Sequence, residues 1–287
     1  MSEGINTAGV DAYLRRLGVE QPAWPTVDAL RELHLRHLRT VPFENLSIHL
    51  GEEIVLEEKR LLEKVVERRR GGFCYELNGA FGALLAALGY DVTLLAARVY
   101  GDGGRLGIPY DHLALRVRTV DGGDRLADVG FGAHFHLPPA FGERGEQEDP
   151  AGRFRIVEAG VDAAGVRGGH GTVEAADLDV LRDGRPVYRL EVRPRALGDF
   201  TAGAWWHSSS PRSHFTRSLV CSRITEDGGR ITLSGRRFTV TAPDGTRQER
   251  EIGTDEEVLA LYRDRFGIAS LDTVPTVRVT GGTGGNG

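Results

Sequence analysis

The chain has 287 residues, of which 40% are hydrophobic and 27% charged, and its formal net charge is −5. These proportions are typical of a folded protein with a sizeable core, and the negative balance gives no reason to expect nucleic acid or an anionic membrane as a partner. The start of the chain lacks the features of a secretion signal, and no stretch is apolar enough to span a bilayer. Two cysteines do not make a disulfide framework. We therefore expect a cytoplasmic protein with free thiols.

Residues 1–90 are predicted to form a helical unit. Apolar spacing and capping residues predict helices over 9–18, from Thr26 to Leu38, and over 56–69. Residues 41–46 are interpreted as a loop followed by a short extended piece. His34 and His37 are interpreted as surface residues of the second helix.

Cys74 lies where a loop containing Gly71 and Gly72 is predicted to turn into a helix. Phe81, Leu84, Leu85 and Leu88 follow at helical spacing. The free N–H groups and the positive dipole end of a helix N-terminus favour a thiolate, and they can hold an oxyanion formed beside it. Cys74 is therefore a candidate nucleophile. The alternative is a small buried apolar residue, which is the commonest role of a free cysteine.

The pattern changes to strands after Gly89. A hairpin turn is predicted at Asp121–Asp124, and residues 141–170, rich in Gly, Glu and Asp, are interpreted as excursions between strands. Thr254 and Glu257 form a capping box for a last helix, and residues 281–287 are expected to be disordered. Strands are predicted at 92–100, 112–118, 188–192, 217–224, 230–234 and 236–241.

This order of elements indicates an α+β protein with three parts. The predicted parts are a helical domain over 1–90 that carries Cys74, a strand-rich domain over 91–205, and an α/β domain with its tail over 206–287.

A thiolate nucleophile needs a histidine to take its proton and a third group to orient that histidine. His112 begins one predicted strand, and Asp128 ends the next. Pairing the two strands about the turn at Asp121–Asp124 brings these side chains to the same end of a hairpin. Taken singly, each is an ordinary strand residue. Together with Cys74 they have the residue types of a catalytic triad.

Four segments of the chain resemble the signature segments of the arylamine N-acetyltransferases, in the same order. They are Val41–Leu46, Arg70–Asn78, Asp128–Gly132 and Ser210–Phe215. The resemblance implies a helical bundle, a β-barrel middle domain and a C-terminal α/β lid around a cysteine-protease-like catalytic core. It implies a Cys74–His112–Asp128 triad that takes an acetyl group from acetyl-CoA and passes it to an arylamine, arylhydrazine or arylhydroxylamine.

The resemblance also implies residues that bind the two substrates. Phe43, Phe131 and Phe215 match positions that line the acceptor pocket, although core packing is the simpler explanation for a phenylalanine. Arg212, Ser213 and His214 match a stretch near the place where coenzyme A enters. The implied partners are small molecules, and the oligomeric state is left open.

Three other functions fit parts of the pattern. An amide synthase of the same fold would release a polyketide as a macrolactam without coenzyme A, a thiol hydrolase would use the same triad without an acceptor amine, and a binding protein would use the scaffold alone.

His134 and His136 have the spacing of a metal pair, but no third ligand is evident, so no metal is expected. Cys221 is interpreted as an unreactive residue of the core. Arg70 has two possible roles, which are to place a positive charge near the thiolate or to hold the loop before Cys74 in position.

Overall fold

The computed structural model describes residues 5–160 and 177–277. Within these ranges the α-helices are α1 Thr7–Leu17, α2 Val27–Thr40, α3 Leu46–Leu50, α4 Glu58–Leu62, α5 Cys74–Ala87, α6 Thr201–Ser209, α7 His214–Arg217 and α8 Asp255–Phe266. The strands are β1 Phe43–Glu44, β2 Asp91–Val99, β3 His112–Arg118, β4 Asp124–Ala127, β5 Gln147–Asp149, β6 Gly152–Glu158, β7 Leu178–Arg182, β8 Arg185–Arg195, β9 Cys221–Ile224, β10 Arg230–Ser234, β11 Arg237–Thr241 and β12 Arg247–Glu251. The predicted disordered tail at 281–287 lies outside the described residues.

Side-chain caps fix the ends of the predicted helices. The Thr26 hydroxyl accepts the Ala29 N–H at the start of α2, and the Thr254 hydroxyl accepts the Glu257 N–H at the start of α8. Gly18 ends α1 in the left-handed region, with φ 67°. The sequence-based helices α1, α2, α5 and α8 are therefore confirmed.

Four sequence-based assignments differ from the structure. The segment 56–69 is a short α-helix followed by one π-helical turn at Glu63–Glu67. The segment at 41–46 contains β1, and helix α3 rather than an extended piece follows it. Of the predicted strand 217–224, only Cys221–Ile224 form a strand, β9, and Arg217 is instead the last residue of helix α7. The described part of the supposed excursions, residues 141–160, contains β5 and β6, whereas residues 161–170 lie outside the described residues. Most of these elements have only two to five residues and are too short to show a hydrophobic period, whereas the seven-residue β6 was missed within a segment rich in Gly, Glu and Asp.

The middle of the chain forms a curled antiparallel sheet of seven strands in the order β4-β3-β2-β8-β7-β6-β5. Its two edges approach each other through the segment 139–141. The Leu126 N–H of β4 donates to Pro139 O, and the Phe141 N–H donates to Asp124 O. On the other side, the Gln147 side chain of β5 bonds both backbone groups of Ala140. This one segment therefore bridges the first and last strands.

A second antiparallel sheet has the order β1-β9-β10-β11-β12. Its first strand comes from the N-terminal region, with Phe43 opposite Ser222 and Glu44 opposite Cys221. Helix α8 covers this sheet with Val258, Tyr262 and Phe266, whereas α5 packs Phe81 and other apolar side chains against the seven-stranded sheet. The fold is thus mixed α/β, and α5 with Cys74 at its start lies against the curled sheet. No helix in the described residues is both long and apolar enough to cross a membrane.

A buried ion pair ties the loop before Cys74 to β1. The side chains of Arg70 and Glu44 are 1% and 0% exposed, and Arg70 Nη2 lies 2.9 Å from Glu44 Oε1. The Glu44 N–H also donates to Gly72 O at 2.9 Å. Burial raises the pKa of Glu44, but the positive charges of Arg70 and Lys64 outweigh burial and hold that pKa below its usual value. These contacts give Arg70 the structural role of tying down the loop.

We expect Arg70→Ala to lower the free energy of unfolding by about 3–5 kcal/mol, because it leaves the Glu44 carboxylate buried without its cation. Arg68→Ala is the matched control, since Arg68 pairs with Glu52 but is 44% exposed, and it should cost less than about 1 kcal/mol. Urea unfolding measures both. The folded-state pKa of Glu44 is lower than its unfolded-state pKa. The ion pair therefore adds to the free energy of unfolding when the pH is above the unfolded-state pKa, and this contribution is lost as the pH falls through the folded-state pKa. Equal losses in the two variants would contradict this role for Arg70.

Candidate active site

Cys74 is the first residue of α5 and is 4% exposed. The turn before it requires glycines, because a side chain at Gly71 would collide with Pro42 O and one at Gly72 would meet the Glu76 side chain. Glu76 Oε2 accepts the Phe73 N–H at 3.2 Å and so caps the helix. The first-turn amides of a helix have no intrahelical acceptor. The predicted position of Cys74, between a loop and a helix N-terminus, is therefore confirmed.

The hairpin of β3 and β4 brings His112 and Asp128 together. The strands pair antiparallel with Leu115 opposite Ala127, which sets both side chains at one end of the hairpin. His112 Nε2 lies 2.7 Å from Asp128 Oδ2, and the two side chains are 3% and 0% exposed. Their predicted proximity is present in the structure.

The Asp128 carboxylate is held by other donors besides His112. Its Oδ1 accepts the Asn78 side-chain amide at 2.8 Å and the Gly130 N–H at 3.0 Å. Burial raises the pKa of Asp128, but the charge and hydrogen bond of His112 outweigh burial and hold that pKa well below its usual range. Asp128 is therefore an ionised, fixed partner for His112.

His112 connects Asp128 to Cys74. With Nε2 bonded to Asp128, Nδ1 is the ring nitrogen left for Cys74, whose negative charge as a thiolate acts on the ring. Burial lowers the pKa of His112, but the negative charges of Asp128 and of the Cys74 thiolate outweigh burial and raise that pKa to about 10. A protonated His112 at neutral pH stabilises a thiolate beside it.

His34 was expected on the surface, and that prediction is wrong. Its side chain is fully buried, its Nε2 accepts the Asp128 N–H at 3.1 Å, and its Nδ1 donates to His136 O at 2.8 Å. Because a backbone N–H can only donate, Nδ1 must carry the proton. Burial lowers the pKa of His34 to about 4, which keeps the ring neutral. His34 thus fastens α2 to the backbone of Asp128.

His37 was also expected on the surface, and it too is fully buried. Its Nε2 lies 2.9 Å from the Tyr13 hydroxyl. Burial lowers the pKa of His37 well below its usual value. Leu30, Leu33, His34 and His37 share one face of α2 at i, i+3, i+4 and i+7. This spacing was the signal that could have located both histidines in the core.

A cavity of about 240 Å³ opens beside the Cys74 sulfur. Phe215 lies in an aromatic wall, with its ring centroid 6.0 Å from that of Phe43 and 5.9 Å from that of Phe73. The lining residues are Phe43, Cys74, Val99, Asp111, His112, Gly130, Phe131, His207 and Phe215. The three phenylalanines singled out in the sequence thus share one cavity with the cysteine and the histidine. Sequence reasoning missed Val99, Asp111, Gly130 and His207 as lining residues.

Comparison with known proteins places this site in a family. Residues 26–273 match a family model described as N-acetyltransferase. The arylamine N-acetyltransferase of Mycobacterium tuberculosis is 35% identical over 266 residues, covering 91% of this chain and 89% of that protein. The structure of the arylamine N-acetyltransferase from Salmonella typhimurium has a TM-score of 0.81 at 31% identity, covering 93% of this chain and 94% of that one.

The chain belongs to the arylamine N-acetyltransferase family. It is therefore an acyltransferase. A solved structure of the Mycobacterium marinum arylamine N-acetyltransferase in complex with CoA has a TM-score of 0.77 at 29% identity, covering 91% of this chain and 93% of that one. The alternative of an amide synthase gains no support from these relatives.

The residues matched to the coenzyme A stretch of arylamine N-acetyltransferases lie around the start of α7. Ser213 is buried, and its hydroxyl accepts the Phe215 N–H at 3.1 Å as the N-cap. Arg212 and His214 are exposed, and the His214 ring lies 2.9 Å from the Ser218 hydroxyl. None of these three residues lines the cavity beside Cys74. Their proposed contact with the donor remains a prediction.

The two histidines with metal-pair spacing are buried. His134 Nε2 lies 3.2 Å from the Tyr188 hydroxyl, and the His136 N–H donates to Asp149. In the part of the chain that the structure describes, no three His, Cys, Asp or Glu side chains are grouped so as to hold a metal ion. Cys221 lies in β9 at 0% exposure, and burial raises its pKa well above the usual value, as expected of an inert core thiol.

We expect Gly130→Ala to lower kcat/KM for acetyl-CoA by about a hundredfold, the cost of a misplacement near 1 Å. A Cβ at Gly130 would lie 2.7 Å from Cys74 Cα and 2.9 Å from Cys74 O, so Cys74 must move relative to His112. Gly142→Ala is the control, because nothing lies within 4 Å of the added carbon there. Steady-state kinetics at several donor concentrations give the comparison. Wild-type kinetics in Gly130→Ala would show that this contact does not position the thiol.

Proposed function

We propose that this acyltransferase moves an acetyl group from acetyl-CoA to arylamines, arylhydrazines or arylhydroxylamines by way of an acetylated Cys74. One observation carries the proposal: the buried His112–Asp128 pair, with a 2.7 Å hydrogen bond, lies beside Cys74 at the wall of an aromatic cavity. Cys74, His112 and Asp128 form the proposed triad. Relatives named arylamine N-acetyltransferases and a relative solved with CoA support this choice of substrates.

In the first half-reaction the Cys74 thiolate attacks the thioester carbonyl of acetyl-CoA. A carbon–sulfur bond forms, and the carbonyl oxygen becomes an oxyanion beside the start of α5, with the Cys74 N–H as its proposed donor. The intermediate then collapses, the bond to the coenzyme A sulfur breaks, and the His112 imidazolium gives its proton to that leaving thiolate. Asp128 holds the ring orientation throughout.

In the second half-reaction the amine nitrogen attacks the acetyl-cysteine carbonyl. The neutral His112 ring takes the proton that the nitrogen loses, and Cys74 leaves as a thiolate, which restores the ion pair. Coenzyme A departs before the amine reacts, so the kinetics are ping-pong. An aromatic amine is mostly uncharged at neutral pH, so it enters a cavity walled by Phe43, Phe131 and Phe215 at little desolvation cost.

The family resemblance also supports a three-part layout with a cysteine-protease-like core. The helical part carries Cys74, the curled seven-stranded sheet carries His112 and Asp128, and the second sheet with α8 forms the C-terminal lid. The proposed boundary after residue 205 needs adjustment, because α6 continues from Thr201 to Ser209. We further propose Arg212, Ser213 and His214 as contacts of coenzyme A, and a cytoplasmic location where reducing conditions keep Cys74 free.

The test is intact-mass measurement after brief exposure to acetyl-CoA without an acceptor. The expected result is a gain of one acetyl group, about 42 Da, which peptide mapping places on Cys74 and which an added arylamine removes as its acetylated product. Loss of the adduct to water at the same rate with and without amine would indicate a thiol hydrolase. No adduct, together with rapid alkylation of Cys74, would contradict acetyl-CoA as the donor.

A further inference from the structure

The cavity contains a second histidine–aspartate pair that the proposed mechanism does not use. Asp111 immediately precedes His112, and its Oδ1 lies 2.9 Å from His207 Nε2. Its Oδ2 accepts the Val99 N–H at 3.1 Å. The side chains of His207 and Asp111 are 9% and 11% exposed, and both line the cavity that holds the Cys74 sulfur.

The Asp111 carboxylate retains capacity for a ligand. Its two oxygens offer about four lone-pair sites, and the contacts with His207 and Val99 use two of them. Within residues 5–160 and 177–277, no lysine or arginine lies within ion-pair distance of Asp111. Apart from Asp111, His207 and the proposed catalytic residues Cys74 and His112, the cavity wall is aromatic and aliphatic, with one glycine. A carboxylate with unused acceptor sites therefore lies in the wall of the cavity beside Cys74.

The backbone holds this carboxylate in place. The Tyr75 hydroxyl donates to both Tyr110 O, at 2.7 Å, and Asp111 O, at 3.0 Å. Tyr110 adopts a φ of 59°, in the left-handed region that is strained for a residue with a Cβ. A side chain at Gly107 would collide with Asp111 Oδ2. The strained backbone at Tyr110 and the close packing of Gly107 against Asp111 thus both restrict the position of the Asp111 side chain.

We propose that Asp111, held by His207, determines which acceptors this acyltransferase prefers. Acceptors that donate a further hydrogen bond or carry positive charge are favoured, because the carboxylate can accept that bond. Acceptors that carry a carboxylate are disfavoured, because two like charges then meet in a site with little water. This specificity rests on the proposed arylamine acetylation, but its electrostatic basis can be tested without an acceptor.

The first test compares two alkylating agents of almost equal size, iodoacetate and iodoacetamide, on Cys74. Their ratio of second-order rate constants reports the charge that the cavity presents to an incoming anion. We expect Asp111→Asn to raise the iodoacetate-to-iodoacetamide ratio by about tenfold. Asp111→Ser should raise it similarly, which guards against a misfolded single variant. Asp102→Asn removes an exposed carboxylate outside this cavity and should leave the ratio unchanged.

The second test uses acceptors in acetyl-CoA turnover. We expect Asp111→Asn to raise kcat/KM for para-aminobenzoate relative to para-toluidine by about tenfold, and to lower it for para-aminobenzylamine relative to para-toluidine. An unchanged alkylation ratio in both Asp111 variants would overturn the inference. A changed alkylation ratio in an enzyme that acetylates none of these amines would uphold the charge of the cavity and contradict the proposed function instead.

Discussion

Cys74→Ser is expected to abolish acetyl transfer, lowering kcat by at least about a thousandfold. His112 can hold a thiol proton as an imidazolium, but it cannot ionise an alcohol in the same way, so the nucleophile is lost while the side-chain volume is nearly kept. Coenzyme A release in the presence of an arylamine measures the rate. Intact mass after acetyl-CoA exposure shows whether the serine enzyme is acetylated at all.

The second cysteine provides the control for this substitution. Cys221 is fully buried in β9, so Cys221→Ala should lose some stability while keeping the acetyl adduct and its transfer to the amine. Turnover near the wild-type rate in Cys74→Ser would contradict covalent catalysis at Cys74. An adduct that disappears in Cys221→Ala would move the nucleophile to the other thiol.

Asp128→Asn is expected to lower kcat by about 10⁴-fold with the fold preserved. The amide has no negative charge to stabilise the His112 imidazolium, and its NH₂ group can face His112 Nε2 and favour the wrong tautomer. Since the charge of Asp128 helps to raise the pKa of His112 to about 10, that pKa should fall in the variant. Alkylation of the thiol by iodoacetamide should then depend more steeply on pH between about pH 6 and pH 8.

The matched control lies on the same hairpin. Asp124 pairs with Arg116 at 2.6 Å but is 30% exposed and belongs to the outer part of β4, so Asp124→Asn should keep the rate within about twofold. Circular dichroism and thermal unfolding separate a local from a global effect. A fully active Asp128→Asn enzyme would show that Asp128 is not the third member of the triad.

Sequence reasoning was strongest where a physical pattern spans several turns. The apolar period after Cys74 located α5, and its members Phe81, Leu84 and Leu85 are fully buried. The hairpin turn set the register that brings His112 to Asp128, because pairing about a known turn leaves little freedom. The hairpin rule brought His112 to Asp128, whereas the resemblance to the arylamine N-acetyltransferases was needed to join Cys74 to them.

Other features depend on contacts that a local pattern does not report. His34 was interpreted as a surface residue of a helix, although its helical position faces the core, where the Asp128 N–H and His136 O bond both ring nitrogens. Asp111 adjoins His112 in sequence, but its partner His207 lies in α6, a helix that the sequence did not predict. Pairings over such separations become visible only once the chain has folded.

The pairing of β1 with β9 bears on how the protein is made. Phe43 and Glu44 of β1 lie opposite Ser222 and Cys221 of β9. Strand β1 is near the start of the chain, so it cannot form this pairing until β9 has been synthesised. Glu44 also bonds Gly72 and Arg70 in the loop that presents Cys74. Until residues 221–222 have left the ribosome, an emerging chain therefore lacks this strand pairing next to the loop that carries Cys74, the proposed nucleophile. Catalytic competence should appear only near the end of translation, which limits premature chemistry at Cys74.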